Sequence, residues 1–379
     1  MRLNYEYKPV NKLLSLFTFV IIFLLLPGCD SDNKQKSPAD EKSKDKNTTE
    51  NIPNPDSVYS IIMVGDMMLG TNYPSEASLP PDDGKFILSD PAEILQSADV
   101  TIGNLEGTLL NKGGTPKVCA NPDNCVAFRM PEHYAGYMKD AGFDIMNLAN
   151  NHSGDMGDIG RKSTQETLKR YGILYGGHIS APTSVFVKDG IRFGFTGFAP
   201  NNGTLSINDH KKAAKIVAEL KKECDIVIVA FHGGAEGSGA VHVPKKREFY
   251  LGEDRGNCYE FARDMIDAGA DIVFGHGPHV PRGIELYKNK IIAYSLGNFC
   301  TYGKFGLSGN LGLAPVFKVY IDKNGNFKQG RIFPYKQVRR GFPVFDESYE
   351  AVELMKRVTE NDFPETGLII ESDGKIVKK

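Results

Sequence analysis

The sequence predicts an α/β fold whose site lies beyond the carboxyl ends of its strands. Two observations carry that prediction. From residue 58 onward, short and nearly continuous β-branched runs alternate with helical patterns, as expected of strands covered on both faces and joined by helices. Residues able to hold a metal or a polar ligand recur just past the ends of those runs, which is where open α/β sheets carry their ligands.

Composition narrows the class. The chain has 379 residues, 41% hydrophobic and 24% charged, ordinary values for a globular protein. A net charge of −2 supplies no global field that would draw nucleic acid.

The first residues stand outside the fold. Arg2, Lys8 and Lys12 precede the apolar run LLSLFTFVIIFLLL (13–26), and PGC follows at 27–29. That order is the order of a secretory signal, and the run is short for a membrane span of ~20 residues. The LPGC ending resembles a bacterial lipobox, so residues 1–28 are expected to be a lipoprotein-type signal peptide with Cys29 as the lipid anchor. An uncleaved anchor helix is the alternative, and either form places the rest of the chain outside the cytoplasm, held at a membrane. Residues 29–57 are polar, charged and Pro-containing, the composition of a flexible tether.

Disulfides are allowed outside the cytoplasm. Cys119 and Cys125 bracket the turn-rich ANPDN and are expected to pair. Cys258 and Cys300 form a second candidate pair, which leaves Cys224 odd.

The elements then follow in order, each strand-like run feeding a polar or Gly-rich turn. VYSIIMV leads into GDMMLG, ADVTIG into NLEGT, FDIMNLA into NNHSGD and IRFGFTGF into APNN. DIVIVAF leads into HGGAEG, DIVF into GHGPHV and KIIAYS into LGNF. Helical patterns fill 131–142, 159–172, 208–223 and 257–270. Asp66, Asn104, Glu106, Asn151, His152, His232, Glu236, His276, His279 and Asn298 fall at the strand ends. Singly, each has an ordinary structural role open to it, such as a turn, a cap or a satisfied imidazole. Together they describe one surface. The set is rich in carboxylate, amide and imidazole and contains no thiolate, which suits divalent Mn, Fe, Zn or Mg. Two such ions can clamp a phosphoryl centre and acidify a water, and an imidazole outside the metal shell can protonate a leaving group.

GDMMLG, NLEGTL, GFDIMNLANNHSGDMG, IDAGADIVFGHGPHV and IIAYSLGNF resemble, in order, the motifs of the CapA (poly-γ-glutamate capsule biosynthesis) family, which belongs to the calcineurin-like metallophosphoesterases. The resemblance runs from about residue 58 to about 320. It implies a four-layer α/β/β/α sandwich, here a domain at 58–335 with a structural extension at 336–379. It implies metal ligands at Asp66, Glu106, Asn151, His232, His276 and His279, and His152 as general acid. Two divalent ions, Mn, Fe or Zn, are the implied cofactors. Three positions depart from the pattern. Met68 stands where metallophosphoesterases carry a His, His276 and His279 are three apart rather than two, and Gly277 stands where capsule relatives often have His. These departures bear on one metal position.

The expected substrate is an anionic polymer or another phosphorylated or carboxylated molecule, with capsule synthase components as expected partners. Asn104, Glu236, Arg255, Arg282 and Asn298 are the expected substrate contacts. The basic run Lys245, Lys246 and Arg247 lies in the long loop 238–257, which a solvated charged loop explains equally well. The function expected is a metal-dependent hydrolase or transferase acting on phosphoester or γ-glutamyl amide bonds. A non-catalytic polymer-binding or assembly lipoprotein is the alternative. Beyond 320, hairpins are expected around Asn324-Gly325 and Asp373-Gly374, with a helix between them.

Overall fold

A computed structural model describes residues 58–119 and 125–379. The expected signal peptide, Cys29 and the expected tether lie outside the described residues.

Two sheets face each other. The first has nine strands. Val58–Met68 lies inside it, parallel to Val100–Leu105 on one side and antiparallel to Val316–Asp322 on the other. Ile145–Asn147 and Leu174–Gly176 continue one wing, while Phe327–Phe333, Lys375–Lys378 and Leu368–Ile370 continue the other. The second sheet has six strands in the order Ile284–Tyr287, Lys290–Ala293, Ile272–His276, Ile226–His232, Ile191–Phe198 and Thr183–Lys188.

The continuous apolar runs have a direct explanation. Successive side chains on a strand point to opposite faces, and here both faces are covered. Ile61 and Met63 point inward between the sheets, while Ile62 and Val64 point outward. In the second sheet Ile226, Ile228 and Ala230 point inward, and Val227, Val229 and Phe231 outward. The outer face of the first sheet is covered by Tyr134–Asp140 and Gly157–Arg170 through Tyr134, Ala135, Met138 and Leu168. The outer face of the second is covered by His210–Glu223 and Cys258–Asp267 through Val217, Leu220, Phe261 and Met265. The layers therefore run helix, sheet, sheet, helix, as expected. Each large apolar side chain taken from water in these interfaces contributes roughly 1.5–3 kcal/mol. Asp209 and Asn257 cap their helices by accepting from the Lys212 and Glu260 amides.

Both C-terminal hairpins form, Val316–Asp322 with Phe327–Phe333 and Leu368–Ile370 with Lys375–Lys378. Residues 336–379 are woven into the domain. Their last strand pairs with Phe327–Phe333, and the helix Glu350–Asp362 sends Val352 and Met355 into the core between the sheets. Among the described residues, no helix is long and apolar enough to cross a membrane.

Two cysteine expectations part company. Cys119 and Cys125 form a disulfide, with Cα atoms 5.5 Å apart. Cys258 and Cys300 do not pair. Cys258 lies in the outer layer of the second sheet and Cys300 in that of the first, so two sheets separate them, and both are free thiols, as is Cys224.

Candidate metal centre

The strands deliver their polar residues to one end of the sandwich. Asp66 sits near the end of Val58–Met68, where its amide donates to Gly297 O at 2.9 Å. Gly65 permits this approach, since a Cβ there would lie 2.1 Å from Gly297 O. Asn298 does not trail the strand Lys290–Ala293. The chain crosses between the sheets, and Asn298 opens a new strand paired in parallel with Asp66. His232 and His276 end neighbouring strands and face each other in register. His279 closes the turn after His276 with a left-handed backbone, φ +59°. A non-glycine residue held there is strained, and such strain collects at functional sites.

The side chains converge. His279 Nδ1 lies 2.9 Å from Asp66 Oδ2 and 3.0 Å from Asn298 Oδ1. His276 Nδ1 lies 3.3 Å from Asp66 Oδ1. Glu106 Oε1 is 3.9 Å from both His279 Nε2 and His152 Nε2. One ligand atom each from Asp66, Glu106 and His279 fit within 4.8 Å of one another. Glu236 Oε2 stands 3.8 Å from His279 Nε2.

A test on the protein's own atoms shows that a cation fits. Both oxygens of Glu106, Oδ1 of Asn151, Nε2 of His232 and Nε2 of His276 are buried without a hydrogen-bond partner. Buried polar groups are normally satisfied because leaving them unmet is costly. Here the orphaned atoms belong to four residues of the expected ligand set, and each of those atoms can offer a lone pair to a metal. Asp66, Glu106, Asn151, His232, His276 and His279 would hold it.

The electrostatics agree. Burial pushes Glu106 well above the usual carboxylate range, and the Asp66 charge adds to the push. For Asp66, burial is outweighed by the hydrogen bonds and charges of His276 and His279, which hold it well below that range. Burial lowers His232 well below the usual imidazole range. Burial also opposes the charge on His279, but Glu106 and Asp66 overcome it and raise this group to about 10. A bound cation would reverse the penalty on Glu106 and hold the carboxylate ionised.

His152 belongs to a separate relay. Its Nδ1 lies 2.7 Å from Asp155 Oδ2, and Lys117 Nζ is 2.7 Å from Asp155 Oδ1. Phe128 stacks on the ring at 4.2 Å, and its amide donates to Asp155. Burial lowers the His152 pKa, favouring the neutral ring. With Nδ1–H donated to Asp155, Nε2 faces Glu106 and the site as a bare acceptor.

Several expected residues have other roles. Asn104 donates to Asp66 Oδ1 at 2.7 Å, lies 3.5 Å from His232 Nδ1, and accepts from Asn147 and Asn150, so it orients ligands. Asn298 donates to Leu311 O and faces His279, so it too is a positioning residue. Arg282 is not a substrate contact. It is buried, paired in a fork with Glu248 and bonded to Ala240 O. Of the basic loop, Arg247 pairs with Asp254 and Lys245 lies over the Phe363 ring at 5.1 Å. Met68 is packed in the outer core of the first sheet and offers no ligand. Sequence reasoning missed Asp155, Lys117, Phe128, Asn147 and Asn150. Asp155, three residues after His152, was within reach of a search for a histidine's partner; Lys117 left no local signal.

Fold and site together define a four-layer α/β protein with a buried carboxylate–imidazole centre at its strand ends. Residues 60–302 match the family described as bacterial capsule synthesis protein PGA_cap, and the chain belongs to that family. It is 30% identical over 259 residues to the capsule biosynthesis protein CapA of Bacillus anthracis, covering 63% of this chain and 59% of that protein. It is 30% identical over 260 residues to the PGA biosynthesis protein CapA of Bacillus subtilis (strain 168), covering 64% and 63%. The match thus spans less than two thirds of these relatives' own length. Among solved structures it is similar to the NAD nucleotidase of Haemophilus influenzae, with 13% identity, TM-score 0.41, and 79% and 56% of the two chains covered. It is also similar to a purple acid phosphatase from yellow lupin, with 10% identity, TM-score 0.37, and 78% and 55% covered. Likenesses at these TM-scores transfer no site residue.

Proposed function

We propose that this protein is a membrane-tethered, extracytoplasmic, metal-dependent hydrolase or transferase that serves capsule or exopolymer biosynthesis. The observation that carries the reading is the set of buried lone-pair donors left without partners at the strand ends. The named roles of the similar Bacillus proteins in capsule and PGA biosynthesis support the polymer context. The N-terminal pattern supports Cys29 as a lipid anchor and residues 29–57 as a tether.

Asp66, Glu106, Asn151, His232, His276 and His279 would hold two divalent ions, Mn, Fe or Zn. Such ions supply positive charge that polarises a phosphoryl or carbonyl oxygen. The protein's own groups do the rest. Asn104 and Asn298 fix Asp66, His232 and His279. His152 takes up a proton at Nε2, the Asp155 carboxylate supports the charged ring, and the proton then passes to the leaving oxygen or nitrogen. Glu236 and Arg255 stand on the substrate side. An anionic polymer is the substrate class and capsule synthase components are the partners.

A second reading, a non-catalytic polymer-binding lipoprotein, draws on one observation: the buried Met68 removes a ligand position that metallophosphoesterases use. One experiment separates the two. The protein supplied with Mn, Fe or Zn is incubated with a chromogenic phosphodiester and with poly-γ-glutamate, beside Asp66→Ala and His232→Ala. Turnover by the wild type alone supports the enzyme, and the substrate consumed names the reaction. Stable polymer binding without turnover under every metal overturns it.

A further inference from the structure

Arg255 is 1% exposed, yet two of its donors, Nε and Nη2, have no hydrogen-bond partner among the described residues. The third nitrogen is fully engaged. Nη1 lies 3.0 Å from Glu236 Oε1 and 3.0 Å from Glu253 Oε2. In a guanidinium, Nε–H and Nη2–H point along the same edge. That edge is a planar fork matched to two oxygens of one carboxylate or phosphoryl group.

The position of the fork is informative. A Cβ on Gly277 would come within 3.2 Å of Arg255 Nη2 and within 2.6 Å of Gly233 O. Gly233 follows His232 and Gly277 follows His276, so the fork lies beside the two turns that carry those imidazoles. Gly277 also has φ +112°, a backbone that disfavours any side chain. The turn that presents His276 and His279 is therefore kept bare where it meets the guanidinium.

A buried cation with unmet donors costs free energy unless something completes it. Glu236 and Glu253 balance the charge from the Nη1 side and leave the opposite edge free. Glu253 belongs to the short hairpin Phe249–Tyr250 and Glu253–Asp254, so a loop beside the site sets the guanidinium's orientation.

We propose that the Nε–Nη2 edge of Arg255 is the recognition element for a two-oxygen anionic group of the substrate, a carboxylate or a phosphoryl, presented beside His232 and His276. The inference rests on reading the strand-end site as the place where substrate is handled. It adds which group of the substrate is read and which residue reads it.

The test is calorimetric titration of inorganic phosphate and of glutarate, at constant ionic strength, into full-length protein. Metal content is measured on the same preparations. Wild type is compared with Arg255→Lys, Arg255→Gln and the exposed-loop control Lys246→Gln. Arg255→Lys keeps a positive charge for Glu236 and Glu253 while removing the fork, and thermal unfolding confirms that each variant is folded.

The expected result is one anion per chain in the wild type and in Lys246→Gln. Both Arg255 variants should lose about 10- to 100-fold in affinity with metal content unchanged, the scale of a charge-assisted hydrogen-bond pair. The anion bound more tightly identifies the group as carboxylate or phosphoryl. Unchanged affinity in a folded Arg255→Lys variant, or no saturable binding to the wild type, overturns the proposal. Loss of affinity in Arg255→Lys from a wild type that holds no metal would sustain this inference and defeat the metal-site reading, so the two fail separately.

Discussion

Arg255 and Arg282 invite comparison. Both were expected as substrate contacts, and each is 1% exposed. Arg282 engages Glu248 through both terminal nitrogens and gives Nε to Ala240 O. Arg255 leaves an edge unmet beside a centre whose ligand atoms are also unmet. The same contrast holds elsewhere. Asp271 is met by Lys221 and Lys290, and Glu285 by Arg263 and Tyr294. Burial alone therefore does not mark function in this fold. What sets the strand-end centre apart is that unmet buried atoms of several ionisable residues gather in one place, where a bound cation or anion would complete them.

The largest effect should come from breaking the structural member of the pair. Arg282→Met strands Glu248 inside the protein and should cost about 3–5 kcal/mol of stability, read by urea unfolding. A cost as small as that of Arg255→Lys would erase the distinction.

A smaller effect concerns a buried imidazole outside the centre. Burial lowers His178 from 6.5 to about 4. The folded form refuses a proton that the unfolded form accepts. The penalty is thus absent above pH 6.5, grows as pH falls and is complete near pH 4. His178 should account for about 3 kcal/mol of the acid loss, at ~1.4 kcal/mol per pH unit. His178→Gln should remove that part of the slope in stability measured against pH.

Within the centre, removal of the ion should reverse the usual sign of a mutation. The raised Glu106 pKa means that metal-free stability falls as pH rises above the unfolded carboxyl value. Glu106→Gln removes that penalty and should stabilise the protein in chelator at pH 8, read by urea unfolding, while abolishing metal uptake. Destabilisation in chelator would show that Glu106 is a structural group. The smallest effect expected is none at all. Burial pushes Cys258 to about 12 and raises Cys300 further, so neither thiol should react with a thiol reagent at pH 8 until the chain is unfolded. Native labelling of either would contradict their placement in the two outer layers.

The fold was legible because its strands are doubly buried. Runs such as DIVIVAF carry alternate residues to two apolar layers, and no other arrangement satisfies both faces. The centre was legible because Asp66, Glu106, His232 and His276 lie at or just beyond strand ends, where topology alone brings distant residues together. The roles within it were less so. Asn104, Asn298 and Arg282 have side chains typical of substrate contacts, and only their partners show that they orient or brace. The Cys258–Cys300 expectation failed because sequence spacing holds no record of which sheet lies between two residues. Lys117 reaches Asp155 through a tertiary contact with no local pattern. The completeness of a buried group's hydrogen bonds, the property that separates Arg255 from Arg282, is wholly three-dimensional.

The central claim is that the orphaned atoms are metal ligands. Elemental analysis of the purified protein, supplied with Mn, Fe and Zn and compared with a His276→Ala, His279→Ala double variant, tests it most directly. The account predicts close to two equivalents of metal in the wild type and their loss in the variant. No metal in the wild type, or the same content in both, would contradict it.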